Sequence, residues 1–73
     1  MIWTKKECKR CGQGWVHRAF VRKTGLPVFV CDECEALWVN EEDVELGPGF
    51  VDLVQYLTRL GAGEGWGDLE LED

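Results

Sequence analysis

The chain has 73 residues, 45% of them hydrophobic and 30% charged, with a net charge of −6 at pH 7. That length leaves room for one domain, and a chain so short buries only about 60% of its unfolded surface, so it is marginal unless a disulfide, a metal or a partner helps. No run approaches the roughly 20 apolar residues that cross a membrane, and two early lysines, Lys5 and Lys6, are followed by no apolar stretch, so neither a spanning helix nor a signal peptide is expected.

Taken in order, Cys8-Lys9-Arg10-Cys11-Gly12 reads as a tight turn closed by glycine. Trp15 to Val21 has the β-branched and aromatic content of a strand. Lys23-Thr24-Gly25 is a turn signal, with Gly25 able to take positive φ. Leu26 to Val30 returns as a second strand that runs into Cys31, with Pro27 at its start or on an edge. Glu35 to Val39 reads as a short third strand. Asn40 to Asp43 is a polar break with one helical turn capped by Asn40. Phe50, Leu53, Val54, Leu57 and Leu60 recur at helical spacing, so the pattern predicts a helix over 49–60. Pro48 near its start and Gly61 past its end fit that helix, and Asp52 and Arg59 suit its dipole. Beyond Gly61–Gly65, Leu69 and Leu71 alternate with acids like a half-buried edge strand, anchored by Trp66.

The spacing C-x2-C-x19-C-x2-C is the strongest feature. Two residues between cysteines let a tight turn aim both sulfurs at one ion, and two such knuckles supply the four tetrahedral ligands that zinc prefers. Cys8, Cys11, Cys31 and Cys34 are therefore the expected ligands of one structural zinc, with no position open for a catalytic water. Two disulfides, a single iron in a rubredoxin-like site and a thioredoxin-like redox pair are the alternatives. The cytoplasm, where thiols stay reduced, is the expected location. His17, the only histidine, reads as a strand residue, because four cysteines already complete the site. No grouping of acids marks a catalytic pair, so neither an enzyme nor a small-molecule substrate is expected.

Charge is strongly polarised. Residues 1–30 carry seven basic side chains against one acid, and residues 31–73 carry thirteen acids against Arg59. Four thiolates and a divalent ion bring the expected total to about −8. The acids Glu41, Glu42, Asp43 and Glu45 cluster in one loop, and Glu64, Asp68, Glu70, Glu72 and Asp73 crowd the tail around Trp66. Such a surface suits a basic protein partner, and the candidate contacts are Glu41, Glu42, Asp43, Glu45, Trp66, Asp68 and Glu70. The alternative is nucleic acid, met by Lys9, Arg10, Arg18, Arg22 and Lys23, together with Lys5 and Lys6, and by stacking on Trp3, Trp15 or Phe20. The acidic total weighs against it. Of the four tryptophans, Trp15 and Trp38 are expected to pack beside the knuckles as core.

The knuckle Cys8-Lys9-Arg10-Cys11-Gly12, with Val28 to Cys31, Asp32-Glu33-Cys34 and Glu35 to Trp38, resembles the zinc-ribbon core of short stand-alone bacterial proteins. Some proteins of that kind accompany toxins as immunity proteins, which implies a stoichiometric inhibitor of a toxin. The zinc ribbon of certain antitoxins is a second resemblance, although the helix-turn-helix half of those antitoxins has no counterpart here. The expected fold is a small α+β zinc ribbon, with a three-stranded antiparallel sheet, one C-terminal helix and an acidic tail. Residues 1–46 would form the ribbon core and 47–73 the helix and tail of the same domain.

Overall fold

The computed structural model describes residues 6–47 and 49–72, so expectations resting on Trp3, Lys5, Pro48 and Asp73 lie outside the described residues. Within them the chain runs β1 (Lys6–Glu7), β2 (Trp15–Val21), β3 (Pro27–Cys31), β4 (Ala36–Trp38), α1 (Glu41–Leu46), β5 (Val51–Asp52), α2 (Leu53–Leu60), a 3₁₀ turn (Trp66–Asp68) and β6 (Leu69–Leu71). None of these helices is long and apolar enough to cross a membrane.

The strands form one antiparallel sheet in the order β1-β2-β3-β4-β5. β6 joins it on β2, pairing Ala19, Phe20 and Val21 with Leu71, Glu70 and Leu69. β1 pairs with the other end of β2, at Val16 and Trp15, so two short strands share one edge of the hairpin. Gly25 closes that hairpin at φ +74, and its N–H donates to the Val21 carbonyl at 2.6 Å.

Both faces of the sheet are covered. On one face Ala19, Val21, Val28, Val30 and Leu37 pack with Leu53 and Leu57 of α2, with Ala62 and Leu69, and with half-buried Tyr56 and Trp66. On the other, Val16, Phe29, Cys31, Ala36 and Trp38 pack with Cys8 and with Val44 of α1. Successive strand residues face opposite ways, which is why Val28, Phe29, Val30 and Cys31 are all buried while belonging to two different layers.

The expected three strands are present as β2, β3 and β4, but the sheet is larger than the expected three. β5 has two residues, too few to leave a periodic trace in the sequence, and β1 has two described residues, Lys6 and Glu7. The helix expected over 49–60 begins only at Leu53. Asp52 stays extended as its N-cap and accepts from the Gln55 N–H at 3.1 Å, while Val51 and Asp52 pair with β4. Leu53 and Leu57 are buried, whereas Phe50, Val54 and Leu60 remain about 40% exposed. At the far end Gly61 takes the left-handed conformation, φ +65, that closes the last turn. The polar break at Asn40 is a full helix, α1, with Glu41, Glu42 and Asp43 at its positive end. Trp38 is buried as expected, but Trp15 is 46% exposed: it sits at the end of β2, beyond the residues that α2 covers.

Candidate metal centre

The four cysteines meet where the loop after β1 and the turn between β3 and β4 come together. Their sulfurs all lie within 4.8 Å of one another and can hold a metal ion. Cys8 Sγ is 3.8 Å from Cys34 Sγ, and Cys11 Sγ is 3.7 Å from Cys31 Sγ. A tetrahedral ion bound at about 2.3 Å to each sulfur requires sulfur–sulfur edges of about 3.8 Å. Two edges match that length and all six lie within 4.8 Å, so the four sulfurs are close enough together to hold one metal ion.

Each knuckle aims backbone N–H groups at sulfur with the same offset. Cys31 Sγ accepts from Glu33 and Cys34 at 3.4 and 3.5 Å, two and three residues on. Cys8 is met in the same way by Arg10 and Cys11, and Cys11 by Gln13 and Gly14. Such bonds favour thiolate, while burial opposes it. The N–H groups of Gln13 and Gly14 hold the Cys11 thiol down at about 6. Burial pushes Cys31 up to about 12 and also raises Cys8. Without an ion the four sulfurs therefore differ in their preference for thiolate, and a bound cation would favour thiolate at all of them. Gly14 is required by the close approach of the knuckles: a Cβ there would lie 2.7 Å from Cys31 Sγ.

Two side chains beside the centre were not legible as site residues. Asp32 fastens the second knuckle to β2, with Oδ1 accepting from the Trp15 N–H at 3.0 Å and Oδ2 2.9 Å from His17 Nε2. His17 is thus a strand residue held by a carboxylate, and the metal-binding group consists of the cysteines alone among the described residues. Glu35, directly after Cys34, takes φ +59, the left-handed conformation that Gly12 (φ +70) takes after Cys11. Its carbonyl accepts from the Leu53 N–H at 3.1 Å, and Oε2 accepts from Trp66 Nε1 at 3.0 Å. A non-glycine residue in the glycine position of a knuckle is the one sequence signal that points to it.

The charged candidates are dispersed. Lys9 and Arg10 lie exposed on the first knuckle, with the Arg10 guanidinium 4.5 Å from the Phe50 ring centre. Arg22 and Lys23 lie at the far end of β2, where Lys23 Nζ donates to the Gly61 carbonyl at 2.7 Å. The seven residues of β2, at about 3.3 Å each, span roughly 20 Å between the strand's two ends. Arg18, between them, lies over Phe20 and 3.4 Å from Glu72.

Among the acids, Glu41 and Glu42 are exposed at the start of α1, and Asp43 is half-buried beside Asn40. Glu45 pairs with Lys6, which holds its carboxyl below the usual range. Asp68 is turned inward, accepting from the Glu64 N–H at 2.9 Å, and Trp66 packs against the α2 layer. Glu70 is exposed on β6. No protein-family model matches the chain, and comparison with curated proteins and with solved structures yields no match.

Proposed function

We propose that the chain is a non-enzymatic, zinc-stabilised, cytoplasmic protein-binding module that neutralises a basic partner, in the manner of an immunity or inhibitor protein. Zinc is favoured because four thiolates in a closed tetrahedron suit it and leave no open position for chemistry. The observation that carries the partner reading is the balance of exposed charge. Pairing within the chain takes up charges of both signs, Lys6 with Glu45 and Arg18 with Glu72, and leaves Glu41, Glu42 and Glu70 exposed beside Lys9 and Arg22 on a protein of net −6, so acid predominates in what is presented. Acidic surface of this kind steers a basic protein to encounter and selects against acidic ones.

A nucleic-acid reading keeps one observation in its favour, the 46% exposed Trp15, which offers a stacking surface. It is opposed by the acidic total and by the contacts that Arg18 and Lys23 make within the chain. A tagged pull-down from lysate, with and without nuclease, separates the two. A protein retained after nuclease, and lost when Glu41, Glu42 and Glu70 are changed to glutamine, supports neutralisation of a basic partner. Ribosomal or polymerase components that vanish with nuclease refute it and favour nucleic acid.

A further inference from the structure

The chain ends its described course in β6, which lies on the outside of the sheet. The hydrogen bonds fix which of its backbone groups are used. Arg22 donates to the Asp68 carbonyl at 3.0 Å, Glu72 donates to the Arg18 carbonyl at 2.9 Å, and Phe20 is opposite Glu70. Asp68, Glu70 and Glu72 therefore direct their backbone inward to β2, and Leu69 and Leu71 direct theirs outward. The Leu69 N–H closes the preceding 3₁₀ turn on the Trp66 carbonyl. What the outer edge offers is the Leu71 N–H, the Leu71 carbonyl and the Leu69 carbonyl.

The side chains around those groups are patterned. Leu69 is buried in the α2 layer, and Leu71, two residues on and on the same face, is 46% exposed, so the apolar layer continues to the rim. Glu70 and Glu72 lie on the opposite face and flank Leu71. Glu72 is met by Arg18 at 3.4 Å.

We propose that the β6 edge is a strand-addition site for an extended basic–apolar–basic segment of a partner protein. In that pairing the apolar residue lies opposite Leu71, exchanges both backbone hydrogen bonds with it and extends the α2 layer. Its two neighbours then place their charges against Glu70 and Glu72. A second copy of this chain is the wrong occupant, because two β6 edges paired antiparallel about Leu71 set Glu70 against Glu72 twice over. The same acids that keep the edge from pairing with itself select a basic strand. The other edges are poorer templates. On the β1 side Lys6 is paired with Glu45, and β5 has two residues, of which Asp52 caps α2.

This inference rests on the basic-partner reading and is tested separately from it. The zinc-loaded, ¹⁵N-labelled protein is titrated with a capped Thr-Lys-Val-Lys-Thr peptide, with the same peptide N-methylated at valine, and with its Glu-Val-Glu counterpart. The expected result is saturable shifts centred on the Leu71 and Leu69 amides and slowed exchange of the Leu71 N–H. Affinity should fall about tenfold or more on N-methylation, the scale of one lost backbone bond. In Glu70→Lys the preference should move to the Glu-Val-Glu peptide. Saturable shifts confined to Glu41, Glu42 and the rest of α1, indifferent to N-methylation, would overturn strand addition while leaving a basic partner standing. No saturable shift at millimolar peptide would also overturn it, and the pull-down then decides the partner reading on its own.

Discussion

Replacing Glu35 tests whether the second knuckle is the joint between the metal centre and the α2 layer. Two effects act at this residue. Its carboxylate accepts from half-buried Trp66 Nε1 at 3.0 Å, a charged hydrogen bond whose loss costs about 1.5 kcal/mol. Its φ of +59 costs a non-glycine residue about 1–2 kcal/mol, and glycine escapes that at an entropic cost of about 0.5–1 kcal/mol. Glu35→Ala loses the bond and keeps the strain. Glu35→Gly loses the bond and relieves the strain, so it should be the more stable of the two by about 0.5–1 kcal/mol. About 1 kcal/mol moves Tm by roughly 4–8 °C in a domain of this size. Melting followed by circular dichroism, at one fixed excess of zinc because bound metal raises Tm by mass action, should place Glu35→Ala about 6–12 °C below the parent. Glu35→Gly should fall between them, and Glu35→Gln, which keeps an acceptor, nearest the parent. A glycine variant that melts at or below the alanine variant would refute a left-handed residue 35.

Three further outcomes follow from the metal site. Gly14→Ala places a Cβ 2.7 Å from Cys31 Sγ and from Glu33 Cβ, so zinc affinity measured against a chromophoric chelator should fall at least about tenfold. Gly12→Ala meets nothing within 4 Å and carries only backbone strain, so an equal loss there would refute the close-approach explanation. Burial holds Cys8 and Cys31 above the ordinary thiol range, so both are protonated at pH 7 and zinc must displace their protons. Calorimetry in buffers of different ionisation enthalpy should find at least two protons released per ion, with affinity rising with pH through neutrality; fewer than two would count against the assignment. Cys31→Ser should bind zinc far more weakly and lose its native circular dichroism, and a native spectrum would show that the metal is not needed for folding.

The sequence made the knuckles and the hairpin legible because both are local. Cysteine spacing does not depend on tertiary context, and Trp15–Val21 and Pro27–Cys31 carry the composition and turn chemistry of paired strands. The helix start was misplaced because Phe50 continues the apolar period of Leu53 and Leu57, yet Asp52 caps the helix more strongly than that period extends it. The His17–Asp32 contact depends on strand register, since it requires Val16 to lie opposite Cys31, and register is a property of two segments at once. Asp68 and Trp66 read as surface features of an acidic tail. The structure turns one into a loop and the other onto the core, because β6 docks on β2 and brings the preceding turn with it.

The metal centre and the helix layer cannot come apart separately. β3 contributes Phe29 and Cys31 to one layer and Val28 and Val30 to the other, and β4 divides Ala36 and Trp38 from Leu37 in the same way. Between them Glu35 joins the knuckle to the first N–H of α2. A disturbance at the cysteines is therefore transmitted to both layers. Zinc in a four-thiolate site contributes on the order of 10–16 kcal/mol. The whole net stability of a domain this size is about 4–11 kcal/mol. If the ion is zinc, as proposed, a contribution as large as the total would make the fold depend on it. The surfaces proposed for recognition, the acids of α1 and the edge of β6, would then be present only in the metal-bound protein. On that reading chelation abolishes binding of the proposed partner and melts the circular dichroism signal together, and a chelated protein that keeps its native spectrum would refute the dependence.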